Sequence, residues 1–190
     1  MYNNKRIFDI LVSFISLLMF AVPFFIIALL IKKDNNGPIF YRQVRIGLNG
    51  QKFLIYKFRT MVQNADKIGS HMTQMNDDPR VTKRGKWLRN NSFDELPQII
   101  NVFLGQMSIV GPRPDVPIQL KGYTKDNLRL NVHQGITGYA ILAGRSLLNE
   151  NQRVYWDNKY VTDFENFGHR VDIWVIMHTF SKILKKIGMN

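Results

Sequence analysis

The stretch that decides the fold is Ile10–Ile31, ILVSFISLLMFAVPFFIIALLI, which is 22 residues without a charged side chain. As a straight helix it would extend about 33 Å at ~1.5 Å per residue, enough to cross the hydrocarbon core of a bilayer. Pro23 lies near its middle, lacks an amide donor and clashes there with the carbonyl of Met19. The sequence therefore predicts a membrane-inserted helix with a kink at Pro23.

The charges around this stretch bear on its topology. Lys5-Arg6 precede it and Lys32-Lys33 follow it, whereas a spanning helix normally has its basic excess on one side only. Balanced flanks favour a re-entrant helix that dips into one leaflet and returns, and a kinked full span stays open as the alternative. A cleaved signal peptide is disfavoured because the run is long and no small-residue cleavage site follows it.

The amino-acid composition excludes several classes of protein and one class of catalytic group. The chain has 190 residues, 12% of them aromatic, and no cysteine. These values exclude a disordered chain, a disulfide scaffold and thiolate chemistry. Residues 32–89 hold 13 Lys and Arg against four Asp, which is +9 of the net charge of +12. Such a segment predicts an anionic partner: nucleic acid, a phosphorylated substrate or an anionic membrane surface. The uncharged stretch Ile10–Ile31 argues against nucleic acid as this partner, because a soluble nucleic-acid-binding domain has no use for such a stretch.

Local patterns outline a mostly helical α+β protein. Two strands are predicted at 39–47 and 52–61, joined by the hairpin signal Leu48-Asn49-Gly50. Helices are predicted at 83–90 and 94–104, with an exposed loop at 63–80 and turns at 111–114 and 135–138. The apolar spacing of 172–187 predicts a basic amphipathic helix. It is either a surface helix packed on the core or, as the N-terminal membrane element favours, a helix lying at the membrane interface. We expect a membrane element at 1–36 and one catalytic domain at 37–190.

The adjacent carboxylates Asp94 and Glu95 have two interpretations. Ser92-x-x-Glu95 matches a helix capping box, which is a purely structural role. Pro97 instead favours a helix that begins at Asp94, because a proline is tolerated in the first helical turn. With Arg89 and Arg113 nearby and a divalent metal, the pair would form a phosphoryl-transfer site. The spacing alone does not choose between these roles.

Longer fragments carry a resemblance that covers nearly the whole chain. They are KRIFD (5–9), GPIFYRQVRIGLNG (37–50), YKFRTM (56–61), DDPRVTKRGKWLRNNSFDELPQIINVFLGQMSIVGPRP (77–114) and GITGYA (135–140). In this order and spacing the chain resembles the bacterial sugar transferases, more narrowly the small monotopic phosphoglycosyl transferases. The resemblance implies transfer of a phosphosugar from a UDP-sugar to undecaprenyl phosphate at the cytoplasmic face of the bacterial cell membrane, with release of UMP.

The resemblance also assigns roles to residues. Asp94 matches the family's nucleophile, which forms a covalent aspartyl-phosphosugar. Glu95 matches the ligand of Mg²⁺, the expected cofactor. The expected phosphate-binding residues are Arg89, Arg113, Arg145, Lys57 and Arg59, although Lys57 and Arg59 fit a solvated strand face equally well.

Further expectations concern two more residues, the partners and the pathway. Asp172 matches a family position without a clear role, and His133 stands where relatives often have arginine. Membrane lipids are expected partners, and a homo-oligomer is compatible with the sequence. The carried sugar and its pathway stay open. A non-catalytic membrane scaffold with the same fold is the alternative function.

Overall fold

A computed structural model describes residues 2–34, 37–65, 78–117, 128–144 and 147–185. Within these ranges the helices are α1 (Tyr2–Met19), α2 (Ala21–Asp34), α3 (Lys83–Asn90), α4 (Gln98–Phe103), α5 (Tyr139–Leu142), α6 (Glu150–Phe167) and α7 (His169–Lys185). The strands are β1 (Phe40–Ile46), β2 (Lys52–Phe58), β3 (Ser108–Val110) and β4 (Gly135–Thr137). This arrangement confirms a mostly helical α+β fold.

The N-terminal apolar stretch forms two helices with a bend between them. α1 and α2 meet at an angle of 61°, and Pro23 is the third residue of α2, where its missing amide has no intrahelical acceptor to lose. In the described part of the chain no single helix has the length and apolarity to cross a bilayer, but the bent pair together has both. The bend expected from Pro23 is therefore present.

Two small sheets follow. β1 and β2 pair antiparallel from Phe40 opposite Phe58 to Ile46 opposite Lys52, and the predicted hairpin turn has Asn49 at φ 53° and Gly50 at φ 76°. β3 and β4 pair in parallel.

The prediction of a turn at 135–138 was wrong, because residues 135–137 form β4. The two backbones approach so closely that a Cβ on Gly135 would lie 2.1 Å from the nitrogen of Gly111. Glycine thus serves strand packing here rather than a turn.

Among the described residues there are three apolar clusters, and two of them join the N-terminal and C-terminal helices to the strands. The larger one joins β3, α6 and α7 through Val110, Tyr160, Phe164 and Val175. The second joins α2 to the hairpin and α3: Ile27, Ile31, Phe58 and Leu88 are buried together, and Leu96 packs against them. Burial of each large apolar side chain contributes roughly 1.5–3 kcal/mol.

The amphipathic helix predicted at 172–187 corresponds to α7, and residues 186–187 lie outside the described residues. Most of the predicted loop 63–80 also lies outside them.

The start of α1 is fastened to the C-terminal helices by buried charges. Lys5 Nζ lies 2.7 Å from Asp172 Oδ2, and the Tyr160 hydroxyl donates to Asp172 Oδ1 at 2.8 Å. Burial raises the pKa of the Asp172 carboxyl, and Lys5 opposes that rise. We call Lys5, Tyr160 and Asp172 the anchor cluster. Its residues are 5%, 1% and 0% exposed, so it is closed to water.

Candidate active site

Asp94 and Glu95 lie in a tight turn rather than at a helix cap. Phe93–Glu95 forms a 3₁₀ turn, and α4 begins only at Gln98 with Pro97 at its N-cap position. The helix predicted from 94 therefore starts four residues later. Ser92 adopts the left-handed conformation at φ 57° and makes no capping bond from its side chain. The capping-box interpretation is wrong, because the Glu95 side chain points to other partners.

Those partners are two cations from distant parts of the chain. Lys57 Nζ, on β2, lies 2.9 Å from Glu95 Oε1. Arg113 Nη2 lies 3.0 Å from the same oxygen, and its Nη1 is 3.4 Å from Glu95 Oε2. We call Lys57, Glu95 and Arg113 the site cluster. Its side chains are 15%, 11% and 22% exposed, so it is partly open to solvent and has two positive charges for one carboxylate.

Asp94 lies within electrostatic reach of three cations. Burial lowers the pKa of Lys57, against the effect of Glu95 and Asp94. Burial disfavours the charge of Arg113 as well, but Glu95 and Asp94 together raise the Arg113 pKa above its ordinary value. The pKa of Arg89 is lowered by burial and supported by Asp94. The cations around the turn thus converge on the two carboxylates, which is an arrangement suited to phosphate groups.

Arg89 and Arg113 are both held by the surrounding structure. Arg89 Nε donates to Thr60 Oγ1 at 2.8 Å. Arg113 follows Pro112 and precedes Pro114 in the loop that leaves β3, so proline fixes φ on both sides of it. The guanidinium groups are therefore presented by restrained segments, which lowers the entropy lost when they bind an anion.

The donor set around Glu95 fits one mode of magnesium binding. Among the described residues, no group of three or more His, Asp or Glu side chains could enclose a metal ion. Mg²⁺ is commonly held by one or two carboxylates together with substrate phosphates. Glu95 supplies one such carboxylate, so the residues fit an ion whose coordination is shared with substrate and do not fit a cage made by protein alone.

Three other predicted residues have charged neighbours that differ from those of Glu95. Arg59 is buried, which lowers its pKa, and its opposing charge is Asp34 at the end of α2. Asp172 belongs to the anchor cluster. His133 is half-buried, which lowers its pKa, and the charged groups that act on it are Asp9, Arg6 and Lys5 of α1. Asp172 thus belongs to a different cluster from Glu95, and Arg145 lies outside the described residues.

Sequence reasoning missed residues that support the site. Arg45 Nη1 donates to the carbonyl of Pro114 at 3.0 Å, and Arg129 Nη2 donates to the carbonyl of Arg113 at 2.6 Å. Arg45 is one of thirteen basic residues in the segment 32–89, and nothing in its spacing distinguishes it. No local signal connects Arg129 with a loop 16 residues upstream.

Comparison with known sequences identifies the family. The sequence model of the bacterial sugar transferases matches residues 2–186. The chain belongs to the bacterial sugar transferase family. The exopolysaccharide production protein ExoY of Sinorhizobium fredii is 36% identical, over 97% of this chain and 87% of that protein. The uncharacterized sugar transferase EpsL of Bacillus subtilis is 35% identical, over 98% of this chain and 90% of that protein.

A larger relative carries a more specific name. The UDP-glucose:undecaprenyl-phosphate glucose-1-phosphate transferase of Escherichia coli is 40% identical over 84% of this bacterial sugar transferase. The matched region covers 36% of that relative. The family expected from the sequence is thus confirmed, and with it an enzyme of the phosphoglycosyl transferase type.

Proposed function

We propose that this sugar transferase moves a sugar phosphate from a UDP-sugar to undecaprenyl phosphate in two steps through Asp94. In the first step an Asp94 carboxylate oxygen bonds to the β-phosphorus, the bond from that phosphorus to the bridging oxygen breaks, and UMP leaves with the electron pair. In the second step a phosphate oxygen of the lipid bonds to the same phosphorus and the carboxylate leaves. The observation that carries this proposal is the convergence of three cations on the Asp94-Glu95 turn.

The cations have a defined task in this reaction. A diphosphate ester repels a carboxylate nucleophile, so the approach of Asp94 requires neutralisation of the phosphate oxygens. Arg113 and Lys57 each form an ion pair with Glu95, and the charge of Asp94 favours the charged form of Arg89. Arginine donates in a planar fork that matches two phosphate oxygens. We assign Arg113 and Arg89 to the diphosphate and Lys57 to balancing Glu95 and the phosphate charge.

Magnesium, when bound, would neutralise the diphosphate and stabilise the departing UMP oxygen. Glu95 would be its protein ligand beside the substrate oxygens. In that state Lys57 and Arg113 would exchange part of their contact with Glu95 for contact with phosphate.

The attachment of the bent helix pair supports membrane placement. Near the start of α1, Arg6 donates to the carbonyl of Val102 at 2.6 Å, and near the end of α2, Ile27 and Ile31 pack with Phe58. Both ends of the pair therefore contact the same domain, which supports a re-entrant helix over a full span. The apolar side chains near the bend are exposed: Leu18 64%, Met19 70% and Val22 67%.

A further apolar face extends the proposed lipid contact. On α7 the exposed large side chains are Ile173, Trp174, Met177, Phe180 and Ile183, which recur at helical spacing. Exposed apolar surface of this extent marks a site of interaction, and a basic amphipathic helix fits the headgroup region. Leu96, next to the two carboxylates, packs against the apolar cluster that holds Ile27 and Ile31 of α2 together with Phe58 and Leu88, so the carboxylate turn and the membrane element share one apolar cluster. This supports the delivery of a lipid phosphate to Asp94.

The deciding experiment measures UMP release from a panel of UDP-sugars by detergent-solubilised protein with Mg²⁺ and undecaprenyl phosphate. With donor alone, intact mass should increase by one phosphosugar on Asp94. In Asp94→Asn we expect the adduct to vanish and turnover to fall roughly 10³-fold or more, because the nucleophile is lost. Asp163→Asn, a carboxylate change on α6, is the matched control and should stay active. Full activity of Asp94→Asn would refute the nucleophile, and a wild-type protein that releases no UMP would favour the scaffold.

The topology has its own test. The chain contains no cysteine, so single cysteines at Asn3 and Asn36 report on the two ends of the bent pair without background. A re-entrant pair on the cytoplasmic face predicts that both label from that side only. Labelling from opposite sides would establish a kinked full span instead.

A further inference from the structure

Behind the site lies a second group of buried charges, which the proposed reaction does not use. Arg129 Nη1 lies 2.8 Å from Asp115 Oδ2, and Arg129 Nη2 lies 3.0 Å from Asp157 Oδ2 on α6. The three side chains are 4%, 9% and 3% exposed. This triad joins α6 to the loop that leaves β3, and it has no access to a ligand in water.

The triad also reaches the backbone of the site. Arg129 Nη2 donates to the carbonyl of Arg113 at 2.6 Å. The neighbouring carbonyls are bonded as well: those of Pro112 to the Gly135 amide at 2.8 Å, Pro114 to Arg45 Nη1 at 3.0 Å and Asp115 to the Ile46 amide at 3.0 Å. Four consecutive carbonyls are thus each fixed by a different donor, and those of Arg113 and Pro114 depend on arginine side chains.

Stability alone does not explain a charged triad at this place. Burying three ionised groups has a desolvation cost, and apolar side chains of similar volume in such positions are often neutral or more stabilising. An apolar replacement would, however, leave the carbonyl of Arg113 without the donor it has now. The triad is therefore better explained by the geometry that it imposes on the loop than by its free energy.

We propose that Arg129 is a positioning residue for sugar-phosphate transfer, which holds the peptide of Arg113 so that the Arg113 guanidinium meets the donor diphosphate. Asp115 and Asp157 orient the Arg129 guanidinium through their ion pairs with it. This inference rests on the proposed function, because it assigns Arg113 to the diphosphate. Arg129 does not touch the substrate, and its effect passes entirely through Arg113.

The expected size of the effect follows from misplacement. A shift of about 1 Å in a group that orients a substrate can lower the rate on the order of 100-fold. Arg129→Lys keeps a positive charge near both aspartates but loses the planar fork that serves three acceptors at once. We expect this variant to release UMP roughly 10- to 100-fold more slowly at subsaturating UDP-sugar, with a normal fold.

A double-mutant cycle separates this role from a general structural one. UMP release is measured for the wild type, Arg113→Lys, Arg129→Lys and the double variant under identical conditions. If Arg129 acts through Arg113, the double variant should be no slower than Arg113→Lys by more than about twofold, because the two losses are not additive for coupled residues. Multiplicative losses, or an unaffected Arg129→Lys, would overturn the inference.

Two further variants keep the test decisive. If Arg129→Lys does not fold, Asp157→Asn takes its place in the same cycle, since it retains the shape of the side chain and removes one partner of Arg129. Lys159→Met, also on α6 but 43% exposed in its side chain, is the matched control and should release UMP at the wild-type rate. A wild-type protein without UMP release would refute the proposed function, whereas an active wild type with an additive cycle would refute only the role of Arg129.

Discussion

The anchor cluster and the site cluster are both made of charges brought together from distant segments, yet they differ in balance and access. In the anchor cluster one cation meets one carboxylate, and a tyrosine hydroxyl satisfies the second carboxylate oxygen. In the site cluster two cations share a single carboxylate, and all three side chains keep some contact with solvent. The first arrangement is complete without a ligand, and the second has positive charge to spare.

This difference distinguishes a structural ion pair from a binding site. A closed and balanced pair fixes two helices and offers an incoming anion nothing. In a partly open cluster with surplus positive charge the cations repel one another, and an incoming anion relieves that repulsion. Such a cluster suits transient contact with phosphate. The family resemblance pointed to Asp172 as well as to Glu95, but only the surroundings of each carboxylate separate the two roles.

The largest expected effect is on stability and concerns the anchor cluster. Lys5→Met leaves Asp172 buried without its cation, which should lower the free energy of unfolding by about 3–5 kcal/mol. For a chain of this length we expect the thermal midpoint in detergent to fall by roughly 6–20 °C. The double variant Lys5→Met/Asp172→Leu should recover most of that loss. A midpoint for Lys5→Met within about 2 °C of the wild type would show that the pair does not fasten α1.

An intermediate effect is expected on activity and concerns the site cluster. Glu95→Gln removes the charge that balances Lys57 and Arg113, and we expect UMP release to fall at least about 10- to 100-fold, which is the loss typical for outer-shell partners of a metal site. Because the cluster is partly open to water, the thermal midpoint should fall less than in Lys5→Met. Glu165→Gln, on the exposed face of α6, is the control. If Glu95→Gln unfolds as early as Lys5→Met and keeps its activity, the contrast between the clusters is wrong.

The smallest expected effect is on the pH dependence of stability, and it concerns the Arg129 triad. Like the anchor cluster, this triad is buried from water. Burial raises the pKa of Asp157 to about 6, against the opposing effect of Arg129. The folded chain therefore holds this proton more tightly than the unfolded chain, in which the pKa is about 3.9. As pH falls from 7 to 5, the wild type should gain about 1 kcal/mol in unfolding free energy relative to Asp157→Asn. Unfolding of both proteins at pH 7, 6 and 5 gives the unfolding free energy of the wild type minus that of the variant. If this difference does not increase as the pH falls, the titration of Asp157 is contradicted.

Prediction from the sequence succeeded where the signal was local. The hairpin of β1 and β2, the helix at 83–90 and the bend near Pro23 each depend on residues within one or two turns of one another. It failed at Ser92, whose left-handed conformation no spacing rule anticipated, and at Gly135–Thr137, where a glycine signal usual for turns serves close strand pairing.

The sequence by itself determined the apolar N-terminal element, the basic character of the chain and its family, because hydropathy, charge and motif order need no knowledge of contacts. Only the tertiary structure decided which cations face Glu95, since Lys57 and Arg113 lie 38 and 18 residues away along the chain. It also placed Asp172 in the anchor cluster and Arg129 behind Arg113. Such partners depend on how helices and strands pack, and a charge becomes structural or functional through the access to water that packing leaves it.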